Sequence, residues 1–459
     1  MLNDHFTIDD PLLQRILART ARPTESSVRK VLRRAKAMNG LSVEEVGILV
    51  NTDSPRLQRS ILSTAARVKR DIYGERLVFF APLYVSDYCV NDCEYCNFHS
   101  RNRQMRRRRL PLAEVADQVK FLIGQGHKRI LLECGEHPRR NTVDYVSAVI
   151  RKIYSVRTPK GNIRRVNVNI AATTVKNYRR LKTANIGTYQ LFQETYHRPT
   201  YERLHHGPKA DYDRQLTAHC RALSAGLDDV GIGVLFGLYD WRYEVLALVA
   251  HARHLDTIHK VGPHTISVPR FCPAPSVSFR PEYPVSDRNF LKLIAVLRLA
   301  VPYTGMIIST RESPQIRKQA FRIGISQSSA GSVTTTGGYG KRVSQPQFSI
   351  HDTRSLHDII GEVIKDKLVP SFCTACYRSG RTGERFMSLS KPGEIKKLCR
   401  PNALLTFAEY LHDFAADGVF GRGMKVIEEY LGRIEKAGVR TETKRRLDRI
   451  AAGERDLFF

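Results

Sequence analysis

The chain has 459 residues, 42% hydrophobic and 26% charged, an ordinary balance for a globular protein with a full-sized core. No run of about 18 apolar residues occurs, which excludes a transmembrane helix. MLNDHFTIDDPLLQRILART has early acids and no apolar h-region, so a cytosolic (cytoplasmic) protein without a secretory signal is expected. The net charge of +29 raises the question of nucleic acid. Apart from the run SRNRQMRRRRL (Arg101, Arg103 and Arg106 to Arg109), however, the basic residues are spread among Asp and Glu. No recognition helix, zinc finger or aromatic RNA-binding strand accompanies them, and a lineage bias toward arginine accounts for the charge more cheaply.

In chain order, residues 1–75 are expected to form a helical N-terminal extension. TIDDPLLQRILART and PTESSVRKVLRRAKAM carry apolar residues at helical spacing, with Thr and Ser as caps. From 76 to 345 short apolar runs alternate with amphipathic stretches. Eight strands are expected: LVFFAPLYVS near 77, KRILLEC near 128, RRVNVNIA near 164, GTYQLFQ near 187, DVGIGVLFG near 229, GPHTISVP near 262, TGMIISTR near 304 and IGISQSSAGS near 323. Helices such as LAEVADQVKFLIGQG, TVDYVSAVIRKIYS and YEVLALVAHARHLDTIHK lie between them, which predicts an α/β fold, a parallel TIM-like (β/α)8 barrel. Residues 346–459 turn mostly helical again, a C-terminal extension.

The nine cysteines of a cytosolic chain point to metal or redox use rather than disulfides. Cys89, Cys93 and Cys96 form one group and Cys373, Cys376 and Cys399 another; Cys134, Cys220 and Cys272 stand alone and read as small apolar packing residues. SDYCVNDCEYCNFH has the spacing Cys-x3-Cys-x2-Cys, enough to hold three irons of a four-iron cube and leave the fourth open. His99 leaves a Cys3His zinc site as the alternative. The motif follows the first strand, at the mouth where such barrels keep their active sites. With aromatic Tyr95 before the last cysteine and Gly135-Glu136 ending the second strand, it resembles the radical S-adenosylmethionine (SAM) superfamily. The resemblance implies a SAM-binding 4Fe-4S cluster and a 5′-deoxyadenosyl radical, with Gly135 and Glu136 engaging the SAM amino group. Arg270 joins Tyr95, Gly135 and Glu136 among the expected cofactor-binding residues.

The second group has the pattern Cys-x2-Cys-x22-Cys in SFCTACYRSGRTGERFMSLSKPGEIKKLCRPNAL. Together with VNVNIA, YQLFQETYH, GPKADYDRQL, AGLDDVGIGVLFGLYDWR, VPYTGMIISTRE and SQSSAGSVTTTGGYG it resembles the HydG family, the radical SAM tyrosine lyases of iron–iron hydrogenase maturation. That resemblance implies cleavage of free L-tyrosine to p-cresol and dehydroglycine. The latter is converted to CO and cyanide at an auxiliary iron–sulfur cluster carrying an additional labile iron. Cysteine as a second small molecule, a flavodoxin or ferredoxin as electron donor, and a hydrogenase-maturation scaffold protein are the partners it implies. For the tyrosine carboxylate a bidentate guanidinium is suited; Arg311 is the expected residue, with Ser309, Ser329, Ala330 and Glu194 nearby and Arg322 as runner-up. Pairing with Glu312 is the structural alternative for Arg311. His264 begins the sixth strand and so belongs to the lower mouth; in the family a histidine ligates the extra iron, and a buried structural histidine is the competing account. Rival readings are a 2-iminoacetate synthase of thiamin biosynthesis, which would not need the second trio, a radical SAM RNA-modifying enzyme, and a scaffold that binds clusters without turnover.

Overall fold

The computed structural model describes residues 6–341 and 345–459. Four helices come first: α1 (Asp10–Arg19), α2 (Glu25–Ala35), α3 (Val43–Val50) and α4 (Pro55–Tyr73). Their starts follow from local chemistry. The Asp9 carboxylate accepts from Leu12 N at 2.9 Å and Thr24 Oγ1 from Ser27 N at 3.2 Å, while Ser42 and Glu45 close a reciprocal capping box. Pro55 opens α4, where its missing N–H has no helical partner to lose. Each helix buries one stripe, such as Leu57, Ile61, Ala65, Val68 and Ile72 of α4, which packs on the helix Asp287–Ala300.

Eight parallel strands follow: β1 (Arg76–Ser86), β2 (Arg129–Cys134), β3 (Arg165–Asn169), β4 (Tyr189–Gln190), β5 (Val230–Gly233), β6 (Thr265–Ser267), β7 (Gly305–Ile308) and β8 (Gln327–Ser329). Each bonds to the next, and β1 pairs with both β2 and β8, so the sheet closes into the expected barrel. Helices at Leu112–Gly124, Val143–Ser155 and Trp241–His259 coincide with the amphipathic stretches read from the sequence. The strands are covered outside by helices and filled inside by side chains, and every residue of β1 after Arg76 is buried.

The C-terminal segment closes the lower end. A ninth strand, β9 (Val369–Ser371), pairs with Arg76–Val78 of β1. A mostly helical segment was expected there and this strand was not read, because three residues carry no readable period; Pro370 is tolerated because β9 lies at the edge of the sheet. The helix Ile395–Phe414 then crosses beneath the barrel. Its Glu409, 3% exposed, pairs with Arg164 just before β3 and stands 3.7 Å from Lys128 Nζ just before β2. Such a carboxylate costs several kcal/mol to desolvate and is tolerated only with its cations in place.

Candidate active site and second metal centre

At the C-terminal ends of the strands the barrel opens into a cavity of about 200 Å³ lined by Cys89, Cys93 and Cys96 together with Tyr95, Gly135 and Glu136. The loop after β1 is fastened to the loop after β2. Val90 N donates to Glu136 O at 2.8 Å and Asn91 Nδ2 to Glu136 Oε2 at 2.7 Å. Gly135 is required by space: a Cβ there would stand 2.6 Å from Tyr88 O and 3.0 Å from Cys89 Cβ. Tyr95 turns its hydroxyl to His205 Nε2 at 2.7 Å. The second Glu136 oxygen meets Arg214 Nη2 at 2.6 Å, leaving lone pairs for a further donor. Burial pushes the Cys96 thiol up to about 11 and raises Cys89 and Cys93, so only a bound cation would hold this trio as thiolates.

The far wall carries Ser309, Arg311 and Ser329. Arg311 does not pair with Glu312, whose carboxylate is taken by Arg270; its guanidinium carbon instead lies 3.2 Å from the Phe348 ring centroid. Glu194, left-handed at φ 69°, holds Lys209 Nζ at 2.6 Å inside the same cavity. Burial works to lower the Lys209 ammonium, but Glu194 and Cys93 beside it hold its pKa above the ordinary value. Three expected residues are not brought to this wall. Arg270 is bound by Glu312 and Asp287, Ala330 is fully buried with its N–H on Phe80 O, and Arg322 sits on the surface against Asp366.

Several residues that the sequence did not single out do face the cavity: Tyr84, Glu133 and Lys209. Glu133 is enclosed apart from the surface it shows to the cavity, and burial lifts its pKa to about 7, against the pull of Tyr84 and Arg311. Alternation along β2 turns Leu131 and Glu133 inward together, a signal that could have exposed it. Phe80, Leu131 and Ile307 form a separate apolar cluster in the lumen. Two residues earlier on the same strands, Val78, Arg129 and Gly305 line a second cavity of about 50 Å³, roughly 6.6 Å lower along the barrel.

This lower cavity gathers Cys373, Cys376 and Cys399 with His264. His264 Nε2 is 3.3 Å from Tyr377 Oη and Nδ1 3.3 Å from Asp229 Oδ1. Burial pushes the Cys376 thiol up to about 12. Arg76 and Arg129 reach the trio without any carboxylate partner among the described residues, and their buried Nε atoms have no hydrogen-bond acceptor. Burial works against the Arg76 charge, yet the Cys399 sulfur, then Tyr73 and Cys373, keep its pKa raised. Unpaired buried cations beside three thiols suit an anionic group bound by thiolates. Among the described residues no three His, Cys, Asp or Glu converge tightly enough for a single metal ion. One tetrahedral ion would draw its sulfurs to about 3.8 Å of one another, whereas a four-iron cube takes each thiolate on a different iron. Each trio shares the wall of one cavity, as three thiolates holding one cube would have to. His99, the fourth ligand of a zinc alternative, is held instead by Asp92 at 3.0 Å.

Comparison with known proteins agrees. The model of the radical SAM superfamily matches residues 83–249, and that of the biotin and thiamin synthesis associated domain residues 267–368. The crystal structure of HydG, a maturase of the FeFe-hydrogenase, is 50% identical with a TM-score of 0.96, covering 98% of this chain and 99% of that one. The FeFe-hydrogenase maturase HydG from Carboxydothermus hydrogenoformans is 39% identical with a TM-score of 0.84, covering 95% and 98%. The 2-iminoacetate synthase of Escherichia coli K12 is 29% identical over 379 residues, 82% of this chain and 96% of its own length. A shared barrel alone would not align end to end at half identity: the chain belongs to the HydG family of radical SAM enzymes.

Proposed function

We propose that the protein cleaves free L-tyrosine between Cα and Cβ to p-cresol and dehydroglycine, and that dehydroglycine is turned into CO and cyanide at the lower cavity for iron–iron hydrogenase assembly. The carrying observation is the second thiol trio, which shares its cavity with His264 and the unpaired Arg76 and Arg129. A 2-iminoacetate synthase, the other tyrosine lyase in view, has no use for that trio.

When bound, SAM and the cluster at Cys89, Cys93 and Cys96 supply a 5′-deoxyadenosyl radical, and the cluster at Cys373, Cys376 and Cys399 with its labile iron supplies the metal that collects CO and cyanide. The rest is done by side chains. Arg311, flattened on Phe348, presents a fixed guanidinium to the tyrosine carboxylate, with Ser309 and Ser329 beside it. Glu133, its pKa lifted by burial to about 7, keeps part of its proton at neutral pH and to that extent gives the cavity a donor and less negative charge beside that carboxylate. The Lys209–Glu194 pair fixes the wall near Cys93. At the lower end Asp229 stands 3.3 Å from His264 Nδ1, a carboxylate beside the ring of the kind that steadies a histidine metal ligand, while Nε2 rests against the Tyr377 hydroxyl and would have to give it up to bind iron. Phe80, Leu131 and Ile307 form the apolar waist between the two cavities. The reaction belongs in the cytoplasm; among the described residues no helix is long and apolar enough to cross a membrane.

Anaerobic reconstitution followed by analysis for p-cresol and cyanide tests this reading. About eight or nine irons per chain are expected, about four if only one cube is held. Tyrosine cleavage without cyanide and with about four irons would leave a 2-iminoacetate synthase. In His264→Ala, loss of about one iron is expected; unchanged iron would remove its ligand role.

A further inference from the structure

The arginine run after Cys96 is not used by the lyase reading, and its members divide by position. Arg107 turns inward onto backbone carbonyls of the cluster loop, while Arg101 and Arg108 pair with Asp92 and Glu114. Arg103 and Arg106 are exposed and meet no acidic side chain. The same face continues onto the loop after Glu136. Arg109 Nη1 donates to Arg140 O at 2.8 Å, and Arg140 lies 5.1 Å over the ring of Tyr88, the residue before Cys89; Arg139 is exposed beside it. Among the described residues none of these five guanidinium groups has a carboxylate partner. Glu94 is an exposed acid of the cluster loop, its N–H on Leu204 O at 3.2 Å.

An ordinary solvated face interleaves acids with bases, because like charges on a compact surface repel. Here five guanidinium groups without carboxylate partners among the described residues stand on the loop that carries the first thiol trio and on the loop after Glu136, an excess of positive charge that Asp92, Glu94 and Glu114 offset only in part. We propose that this arginine face is the docking surface for an acidic one-electron carrier protein of the flavodoxin type. The idea rests on the radical SAM reading above and adds the partner surface to it. One electron passes from the carrier's flavin hydroquinone, left as the semiquinone, to the cluster at Cys89, Cys93 and Cys96; no other reactant is needed. RNA is disfavoured because it is gripped by stacking as well as charge. The rings in the patch, Tyr88 and Tyr145, lie beneath Arg140 and Arg109 rather than being presented as platforms.

The test uses reconstituted holoprotein carrying Arg103→Glu, Arg106→Glu and Arg139→Glu together, none of which lines either cavity. Flavodoxin hydroquinone is mixed with it in a stopped-flow instrument, and both the association rate and the rate of flavin oxidation are followed at low and high salt. At low ionic strength the variant should associate at least about tenfold more slowly than the parent, with the difference collapsing in about 0.5 M salt as the charges are screened. Production of p-cresol with dithionite as reductant should be unchanged. The neutral variant, with Gln at the same three positions, should fall between the two. Reduction of the charge-reversed protein by flavodoxin at the parental rate would overturn the proposal. So would tight binding of single-stranded RNA that the variant loses while keeping flavodoxin-driven reduction. Absence of p-cresol from the parent protein would count against the lyase reading alone, since the association and flavin-oxidation rates do not depend on tyrosine.

Discussion

Replacing Arg107 by alanine should loosen the loop that carries the first thiol trio. Its Nη1 donates to Asp87 O at 2.7 Å and to Phe98 O at 2.8 Å, and its Nη2 to His99 O at 2.6 Å. One carbonyl precedes Cys89 and two follow Cys96, so a single guanidinium ties the two ends of the loop together. A charge-assisted bond to a buried acceptor contributes about 1.5–3 kcal/mol. Two of these bonds share one nitrogen and the side chain is half-buried, which brings the expected total to about 3 kcal/mol rather than the sum. That is roughly a hundredfold shift in the opening equilibrium of the loop. Urea denaturation of the apoprotein would read the stability loss, and the rate at which a chelator strips iron from the reconstituted protein would read the opening. Arg107→Lys should recover only part of the loss, because an ammonium cannot span three carbonyls in the geometry of a planar fork. Arg106→Ala, on the exposed side of the same run, should behave as the parent. An Arg107→Ala apoprotein within about 0.5 kcal/mol of the parent, with iron lost at the parental rate, would refute the clamp.

Three further outcomes follow from the site. Gly135→Ala must open the 2.6 Å approach to Tyr88 O, and overpacking of this kind costs about 1–3 kcal/mol, so lower iron content and a lower urea midpoint are expected. Arg311→Lys keeps the charge but not the fork, and kcat/KM for tyrosine should drop about tenfold to a hundredfold while iron content stays whole. Burial raises Glu133 from 4.5 to about 7, so the folded state binds its proton more tightly than the unfolded chain does. Stability is therefore lost as pH rises from the unfolded value through the folded one, by up to about 3 kcal/mol, tempered by the water the cavity admits. Glu133→Gln should gain on the parent across that window, from nothing near pH 4.5 to its full advantage above pH 7; urea midpoints at pH 5 and 7.5 would show it, and equal midpoint differences at the two pH values would rule it out.

The barrel was legible because short apolar or β-branched runs such as those of β1, β2, β5 and β7 recur between helices of 3.6-residue period. Both thiol trios were legible from spacing. What was hidden depended on register and on contacts far apart in sequence. Glu133 looks like a solvated acid until Leu131 and Phe80 are seen to share its lumen. Arg76 and Arg129 resemble strand-capping surface residues until the C-terminal segment brings the second trio beneath them. Arg270 has the composition of a ligand-binding residue at a strand end, yet Glu312 and Asp287 take its guanidinium. A count of charges could not show that Arg107 faces inward while Arg103 and Arg106 face out.

The two ends of the barrel also differ in how they balance charge. At the upper cavity Lys209 pairs with Glu194 and Glu136 with Arg214, while Arg311 has no carboxylate partner among the described residues and is left for a carboxylate brought by the ligand. The lower cavity keeps Arg76 and Arg129 without carboxylates, a cost that an anionic occupant would remove. Between them, on three of the strands, stand Phe80, Leu131 and Ile307, which make no hydrogen bonds to a passing ion. A charged species would be desolvated against those three side chains at a cost that a small neutral molecule would not meet. Under the proposed reaction the barrel would therefore favour uncharged carriers of carbon and nitrogen over ions between the two cavities.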